Sequence, residues 1–417
     1  MSDPAPGPLA GVRVIDLTAV FLGPVASQTL GDLGADVIKV ETPAGDITRS
    51  ITPARNPGMG TGFLAVNRNK RSIVLDLKQP AAREALGRLV AGADVLMHSM
   101  RPQAMDRLGL GPAAARAINP RLIHCAAYGY RREGPHGWRP AYDDVIQAAS
   151  GLAALQASFA GEPRYVPNSM VDKLVGLTVA SAINAALFHR ERSGEGQAIE
   201  VPMYETMVAF LLPEHMAGRG FSPPEGPAGY GRVLAPHRRP YRTADGHIGV
   251  LPYTVEQWQR LFTLIGRPEM AGDPRVTDGP TRNRHVGDLY EMVSDAMPAR
   301  STADWHAAFD AADIPAMPVQ DLDQVLGCPH LAEVGFFETH RHETEGDLVF
   351  LGHPVRYERT PAAIRRLPPR LGQHTLEVLG EAGYDPAAID RLLANGAAVA
   401  EQRPWDRPTA NRGGNPP

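Results

Sequence analysis

The first part of the chain alternates short apolar runs with stretches of helical periodicity. Residues 12–17 form a short β-branched apolar run, residues 24–33 show helical periodicity that ends before Gly34, and residues 37–40 form a second apolar run. A strand, a helix and a second strand in this order predict one βαβ unit.

The same rhythm continues downstream. Strands are predicted at 73–77, 95–98, 122–126 and 198–201, and helices at 80–91 and 169–189. Pro80 stands at the first position of its helix, where proline is tolerated, and the polar loop 193–196 closes the long helix. Strands that alternate with helices predict an α/β fold with a parallel sheet that is covered on both faces.

The second half of the chain has a different character. Residues 219–240 are rich in proline and glycine, so we expect a connection there rather than regular structure. Short strands that turn at Asp245 and Gly246, with helices at 255–265 and 284–297, predict a smaller α+β domain. Residues 403–417 are rich in proline, glycine and asparagine and are expected to be disordered.

Composition excludes several classes of protein. The 417 residues carry 42 Lys and Arg against 46 Asp and Glu, a net charge of -4, which gives no general reason to bind nucleic acid or an anionic membrane. The longest nearly apolar run, 174–188, is too short to span a bilayer, so we expect a buried helix and no membrane partner. Only two cysteines and no signal peptide predict a cytoplasmic protein.

Basic residues stand out at two places. One group is residues 68–72, directly before the predicted strand 73–77, and the other is Arg101 and Arg107, after the strand 95–98. Such residues are either a solvated surface or a site for phosphates, which arginine binds through charge-assisted hydrogen bonds. The sequence pattern alone does not distinguish a solvated surface from a phosphate site.

Asp172 is the most informative carboxylate. Ser169 followed three residues later by Asp172, before an apolar helix, is typical of a capping box, in which the acid only satisfies backbone N–H groups. The same location also suits an ionised, partly exposed carboxylate nucleophile. Spacing does not choose between a cap and a nucleophile.

Longer motifs resemble one enzyme family. They are PLAGVRVID at 8–16, GADVIKVE at 34–41, NKRSIVLDLK at 69–78, RERSGEGQ at 190–197, YRTADG at 241–246, IPAMPV at 314–319 and PPRLGQHT at 368–375. In this order, over nearly the whole chain, they resemble the class III CoA-transferases of the CaiB/BaiF type, which include formyl-CoA transferase, carnitine CoA-transferase and the α-methylacyl-CoA racemases.

The resemblance implies an architecture. It implies a large Rossmann-like domain built from residues 1–218 and a return segment 326–402, a linker at 219–240, and a small α+β domain at 241–325. It also implies a homodimer in which two subunits interlock as rings.

The resemblance also implies a reaction. An aspartate, matched by Asp172, attacks an acyl-CoA thioester to form an anhydride, and CoA then gives an aspartyl-CoA thioester that reacts with a free carboxylic acid. Coenzyme A is then a substrate, with no permanently bound cofactor and no metal. Arg238, Arg239 and Tyr241 are candidates to bind a second carboxylate on the acid, although they are equally typical of a surface.

The CoA contacts of the family carry over to matching positions. They are Phe21, Leu22, Leu75, Asp76, Leu77, Lys78, Ser99, Met100, Arg101, Arg107, Tyr142 and Asp143. Ser99 replaces the usual asparagine of its motif, and Tyr142 stands where racemases have the histidine of a His-Asp pair. Loss of one of two bases disfavours the racemase alternative. A second alternative is a CoA-thioester-binding protein without catalysis, in which Asp172 only caps its helix.

Overall fold

The computed structural model describes residues 5–401, so the tail predicted to be disordered, 403–417, lies outside the described residues. The strands are β1 (Arg13–Leu17), β2 (Asp36–Glu41), β3 (Lys70–Leu75), β4 (Val95–His98), β5 (Ile123–Tyr128), β6 (Ala198–Pro202), β7 (Tyr241–Arg242), β8 (His247–Val250), β9 (Ala316–Pro318), β10 (Phe337–His342), β11 (Gly346–Leu351) and β12 (Ala398–Val399).

Helices account for most of the remaining regular structure. The α-helices are α1 (Leu22–Asp32), α2 (Thr61–Val66), α3 (Pro80–Ala91), α4 (Pro102–Arg107), α5 (Pro112–Ile118), α6 (Asp143–Ala149), α7 (Leu152–Ala160), α8 (Met170–Ser193), α9 (Met203–His215), α10 (Val255–Leu264), α11 (Pro274–Thr277), α12 (Gly279–Arg284), α13 (Val286–Ala296), α14 (Thr302–Ala311), α15 (Leu322–Leu326), α16 (Pro329–Glu333), α17 (Thr375–Glu381) and α18 (Pro386–Ala394). Short 3-10 helices lie at Ile47–Ser50, Ala217–Gly220, Pro268–Gly272 and Met297–Ala299.

The chain divides into two compact units. Among the described residues, the first comprises 5–153, 165–209 and 333–401, and the second comprises 154–164 and 210–332. The segment 219–240, expected as a connection, falls inside the second unit, and its Ala235 is buried in that unit's core. A segment rich in proline and glycine can thus contribute single side chains to a core without forming a regular element.

The first unit is built on a seven-stranded sheet in the order β12-β3-β2-β1-β4-β5-β6. Strands β1 to β6 run parallel, which confirms the predicted α/β fold with a parallel-dominated sheet, and β12 adds an antiparallel edge. The direction of strand order reverses between β1 and β4. In such sheets ligands bind at this reversal, outside the carboxyl ends of the strands.

Both faces of this sheet are covered. On one face, apolar residues of β1 to β4 pack with residues of α3, α5, α17 and α18 in a single buried cluster. Ile15 belongs to that cluster, whereas the neighbouring Asp16 points to the other face and accepts a hydrogen bond from Ser27 of α1. On this second face α1 packs closely against α8.

The long helix α8 extends beyond its predicted end at residue 189. It continues to Ser193 because Arg190 is buried by an ion pair with Asp94, and it ends at Gly194, whose φ of 79° is left-handed. By length and composition α8 could cross a membrane, so the argument that this segment is too short does not hold. Half of its most apolar stretch is buried inside the protein, as in a core helix.

The second unit has its own core. Strands β7, β8 and β9 form an antiparallel sheet in that order, and the predicted helices at 255–265 and 284–297 correspond to α10 and α13. Its buried centre includes Trp258, Phe262, Tyr290 and Trp305. Large aromatic side chains supply much of the apolar area with which a unit of this size is stabilised.

Candidate functional site

A cleft of about 740 Å³ lies at the carboxyl edge of the large sheet. Leu17 at the end of β1, Leu75 at the end of β3 and Met100 just after β4 line it, together with residues 42–44 after β2. The size is that of a site for a small molecule or cofactor, and the position is the one that the strand order predicts for ligands.

Three cations surround this mainly apolar cleft. Lys78, Arg83 and Arg107 line it, and among the described residues none of the three side chains has an acidic partner within salt-bridge distance. Arginine and lysine that lack a partner next to apolar walls suit a ligand with several negative charges and an apolar group. Coenzyme A, with its phosphates and its adenine, has this chemistry.

The cleft gathers half of the candidate CoA contacts. Leu75, Asp76, Leu77, Lys78, Met100 and Arg107 all line it. Ser99 and Arg101 are exposed on either side of Met100 and do not belong to the lining, whereas Arg107 at the end of α4 does.

Arg83 is a lining residue that the sequence analysis did not select. It lies in the first turn of α3, which follows directly on the loop after β3. Pro80 starts the helix that follows β3, so a cation in its first turn lies near the carboxyl edge of the sheet. The spacing of Arg83 from Pro80 was therefore a signal from which its place at the cleft could have been predicted.

The basic group at residues 68–72 proves to be neither a solvated surface nor a phosphate site. Arg68 pairs with Asp32 at 2.7 Å, and Arg71 pairs with Asp36 and Glu381 at 2.6 and 2.7 Å. Strand β3 begins at Lys70, three residues before its predicted start at 73, so these cations lie at the amino end of the strand. Buried charges of this kind require partners, and the partners occupy their hydrogen-bonding capacity.

A second group of candidates surrounds the start of α8. Asp172 is in the first turn of this helix and is 8% exposed, and its backbone N–H donates to Oδ2 of Asp143 at 2.9 Å. Ser169 is the residue before α8, but its side chain makes no capping hydrogen bond. The expected capping box is therefore not formed, and the cap is instead the carboxylate of Asp143 from the start of α6.

The surroundings of Asp172 alter its acidity. Burial, and then the negative charges of Asp143 and Asp144, raise the pKa of Asp172 from 3.8 to about 6. No hydrogen bond to its carboxyl oxygens is present among the described residues. At pH 7 this carboxylate is mainly ionised and poorly solvated, and no described residue donates a hydrogen bond to it, which are the properties of a nucleophile.

The remaining candidates lie on the elements next to Asp172. Leu22 is buried at the start of α1, and its carbonyl oxygen would lie 2.6 Å from a Cβ atom added to Gly176, one turn after Asp172. Phe21, half-buried, precedes α1, and Tyr142, 68% exposed, precedes α6. Gly176 thus allows the second turn of α8 to approach the start of α1 closely.

The second unit contains a separate cleft of about 460 Å³. Arg238, Arg239 and Tyr241 line it together with Tyr290 and an apolar wall at 315–317. The three residues considered for a second carboxylate therefore share one surface, which does not by itself identify a ligand.

Comparison with known proteins gives a consistent result. The model of CoA-transferase family III matches residues 9–375. The "Probable fatty acyl-CoA transferase Rv3272" of Mycobacterium tuberculosis is 36% identical over 89% of this chain and 97% of its own length. The succinyl-CoA:glutarate CoA-transferase of Mus musculus is 34% identical over 95% of this chain and 91% of its own length.

Solved structures agree with the sequence comparison. A crystal structure of an aspartate-to-alanine mutant of Rv3272 from Mycobacterium tuberculosis superimposes with a TM-score of 0.79 at 32% identity. It covers 89% of this chain and 99% of the other. Similarity over nearly the full length of both chains extends to both compact units.

Proposed function

This chain belongs to CoA-transferase family III, and we propose that it moves CoA from an acyl-CoA to a free carboxylic acid through covalent intermediates on Asp172. The observation that carries the proposal is the environment of Asp172: a poorly solvated carboxylate at a helix start, whose backbone N–H is bound by Asp143 and whose oxygens accept no hydrogen bond from the described part of the chain. The cleft at the carboxyl edge of the sheet would hold the CoA nucleotide.

In the first half-reaction, Asp172 of the enzyme replaces the donor acid as the acyl partner of CoA. A carboxylate oxygen of Asp172 attacks the thioester carbonyl carbon, and CoA leaves as a thiolate, which yields a mixed anhydride. The thiolate then attacks the Asp172 carbonyl carbon of the anhydride, so that the donor acid leaves as a carboxylate and an aspartyl-CoA thioester remains. No net proton transfer is needed, because both nucleophiles react as anions.

The second half-reaction runs in reverse with another acid. The acceptor carboxylate attacks the aspartyl-CoA thioester, releases the CoA thiolate and forms a second anhydride. Attack of the thiolate on the acceptor's carbonyl carbon gives the new acyl-CoA and regenerates Asp172. The residues around the large cleft contribute by keeping CoA bound between steps, and Lys78, Arg83 and Arg107 are placed to hold its phosphates.

The proposal covers a wide range of carboxylic acids as substrates. One relative is named for fatty acyl-CoA and another for succinyl-CoA and glutarate, and their identities to this chain are nearly equal. We therefore include monocarboxylic and dicarboxylic acids as acceptors and propose no single substrate.

We further propose that the chain works as an interlocked homodimer in the cytoplasm, as the family resemblance implies. On α8, Leu177 and Phe188 are 56% and 62% exposed in a single chain. Apolar side chains this exposed on a long apolar helix favour contact with another surface. Light scattering of the purified protein should give twice the mass of one chain.

Trapping of the covalent intermediate tests the mechanism. The protein is incubated with a panel of acyl-CoA thioesters, quenched with hydroxylamine and digested, and the peptide that bears Asp172 is examined by mass spectrometry. A hydroxamate on Asp172, absent in Asp172→Asn, is the expected result. Deuterium uptake at the α-carbon of the acyl group without hydroxamate would instead identify a racemase, and CoA binding without either reaction would identify a binding protein.

A further inference from the structure

A fully buried glutamine connects the segments that position Asp143 and Asp172. Gln147, in α6, has no solvent exposure, and its amide nitrogen donates to Oδ1 of Asp143 at 2.6 Å. Its amide oxygen accepts the backbone N–H of Val166 at 2.9 Å. Because a backbone N–H can only donate, this bond fixes the amide so that its nitrogen faces Asp143.

The other oxygen of Asp143 completes a chain of hydrogen bonds. Oδ2 accepts the backbone N–H of Asp172, so each oxygen of Asp143 has one donor from a different segment. The chain runs from Val166, through Gln147 and Asp143, to the first turn of α8. It therefore links α6, the segment that leads into α8 and the backbone of the proposed nucleophile.

We propose that Gln147 is a positioning residue for this transferase: it holds the Asp143 carboxylate against the start of α8 and thereby fixes where the Asp172 carboxylate lies. The proposal rests on the proposed function of Asp172. Gln147 itself has no role in bond formation, since it is fully buried and both ends of its amide are occupied.

Position 147 requires an amide side chain, because the side chain must donate to Asp143 and accept from Val166. Without the donor, Oδ1 of Asp143 would be a buried carboxylate oxygen lacking its partner, and Asp143 would turn toward another donor and release the N–H of Asp172. A nucleophile displaced by about 1 Å can lose a factor of about 100 in rate. A carboxylate in place of the amide would add a second negative charge within hydrogen-bond distance of Asp143.

Two variants with opposite chemistry test this role. Gln147→Leu has a similar length but no donor, and we expect CoA exchange between acyl-CoA and acid to fall about 10- to 100-fold at every pH, with the dissociation constant of CoA within about twofold of the wild type. Gln147→Glu keeps the shape and can donate to Asp143 only while protonated. Its rate relative to the wild type should be close to one at pH 5 and fall steadily toward pH 8.

The pH dependence of this ratio distinguishes positioning from a general loss of structure. Gln259→Glu, in the second unit, places an acid where the glutamine bonds only to the carbonyl of Ala271 and serves as the control, with a ratio that does not change with pH. A constant ratio for Gln147→Glu between pH 5 and pH 8, or undiminished exchange in Gln147→Leu, would overturn the proposal. If Gln147→Leu does not fold, Gln147→Glu still decides.

Failure of this inference is distinguishable from failure of the proposed function. If Asp172 is not the nucleophile, the wild-type protein forms no hydroxamate on that residue with any thioester. If only the role of Gln147 is wrong, the wild type is labelled and the two variants exchange CoA with the wild-type pH profile.

Discussion

Replacement of Asp172 by asparagine is expected to stabilise the folded protein at neutral pH while it removes activity. The folded state raises the pKa of Asp172 from 3.8 to about 6, first through burial and then through Asp143 and Asp144. A rise of this size corresponds to about 3 kcal/mol against the ionised form. The helix start opposes this effect, but a helix N-terminus stabilises an anion by only about 0.3–1 kcal/mol.

Asparagine removes the charge of Asp172 and keeps its other interactions. Its side chain has nearly the same shape, and no described residue donates to the Asp172 carboxyl, so no hydrogen bond is lost. The net gain at pH 7 should be about 2 kcal/mol. The residue is 8% exposed, so solvent screens the cost of its charge only weakly.

The sign of the pH dependence follows from the two pKa values. Folded Asp172 holds its proton more tightly than the unfolded chain does, so this group favours folding below pH 3.8, and the contribution is lost as the pH rises through 6. Asparagine does not titrate. Its advantage over aspartate should therefore be near zero at about pH 3, below both pKa values, and nearly complete above pH 6.5.

Hydrogen exchange at amides of α8 reports the stability of the compact unit that contains Asp172. Amides of α8 that exchange only through global unfolding should exchange about 30-fold more slowly in Asp172→Asn than in the wild type at pH 7, and equally fast at about pH 3. Asp295→Asn, an exposed acid on α13, is the matched control and should change neither rate. Equal or faster exchange in Asp172→Asn at pH 7 would refute the reasoning.

Two further predictions concern the CoA cleft and the packing beside Asp172. Arg107→Gln should weaken CoA binding about fivefold or more in low salt and less in high salt, as measured by titration calorimetry. The control is Arg88→Gln, because the guanidinium of Arg88 pairs with Glu84. This variant should leave the dissociation constant of CoA unchanged. Gly176→Ala places a Cβ atom 2.6 Å from a backbone oxygen and should lower stability by about 1–3 kcal/mol, seen as a lower Tm. Gly87→Ala, also within a helix but with open space around it, should raise the Tm slightly, and equal shifts for both glycines would contradict the packing argument.

Local patterns predicted the large sheet because each of its parallel strands is an apolar run between helical stretches. Five predicted strands overlap their observed positions within one or two residues, and the strand with the largest shift is β3. Its start was missed because Lys70 and Arg71 look like a loop in sequence. They belong to the strand because Asp16, Asp36 and Glu381 pair with them, and these partners come from distant parts of the chain.

The candidate site divides in the same way. Its motif residues at 75–78 and at 100 and 107 could be named from the sequence, and the structure places them in one cleft. Gln147 could not be selected on pattern alone, since a helical glutamine is an ordinary surface residue in most sequences, and for Arg83 the spacing from Pro80 was the one available signal. Their importance arises from which cleft or carboxylate they face.

Residue types at short spacing predicted the order of strands and helices, and the family motifs pointed to Asp172 as the candidate nucleophile. Which charged side chains pair with each other depends on the packing of distant segments. Arg68, Lys70 and Arg71 lie in buried ion pairs. Lys78, Arg83 and Arg107 line the cleft without an acidic partner within residues 5–401. The acidity of Asp172 was decided in the same way, because its burial and the proximity of Asp143 are set by the packing of α6 against α8.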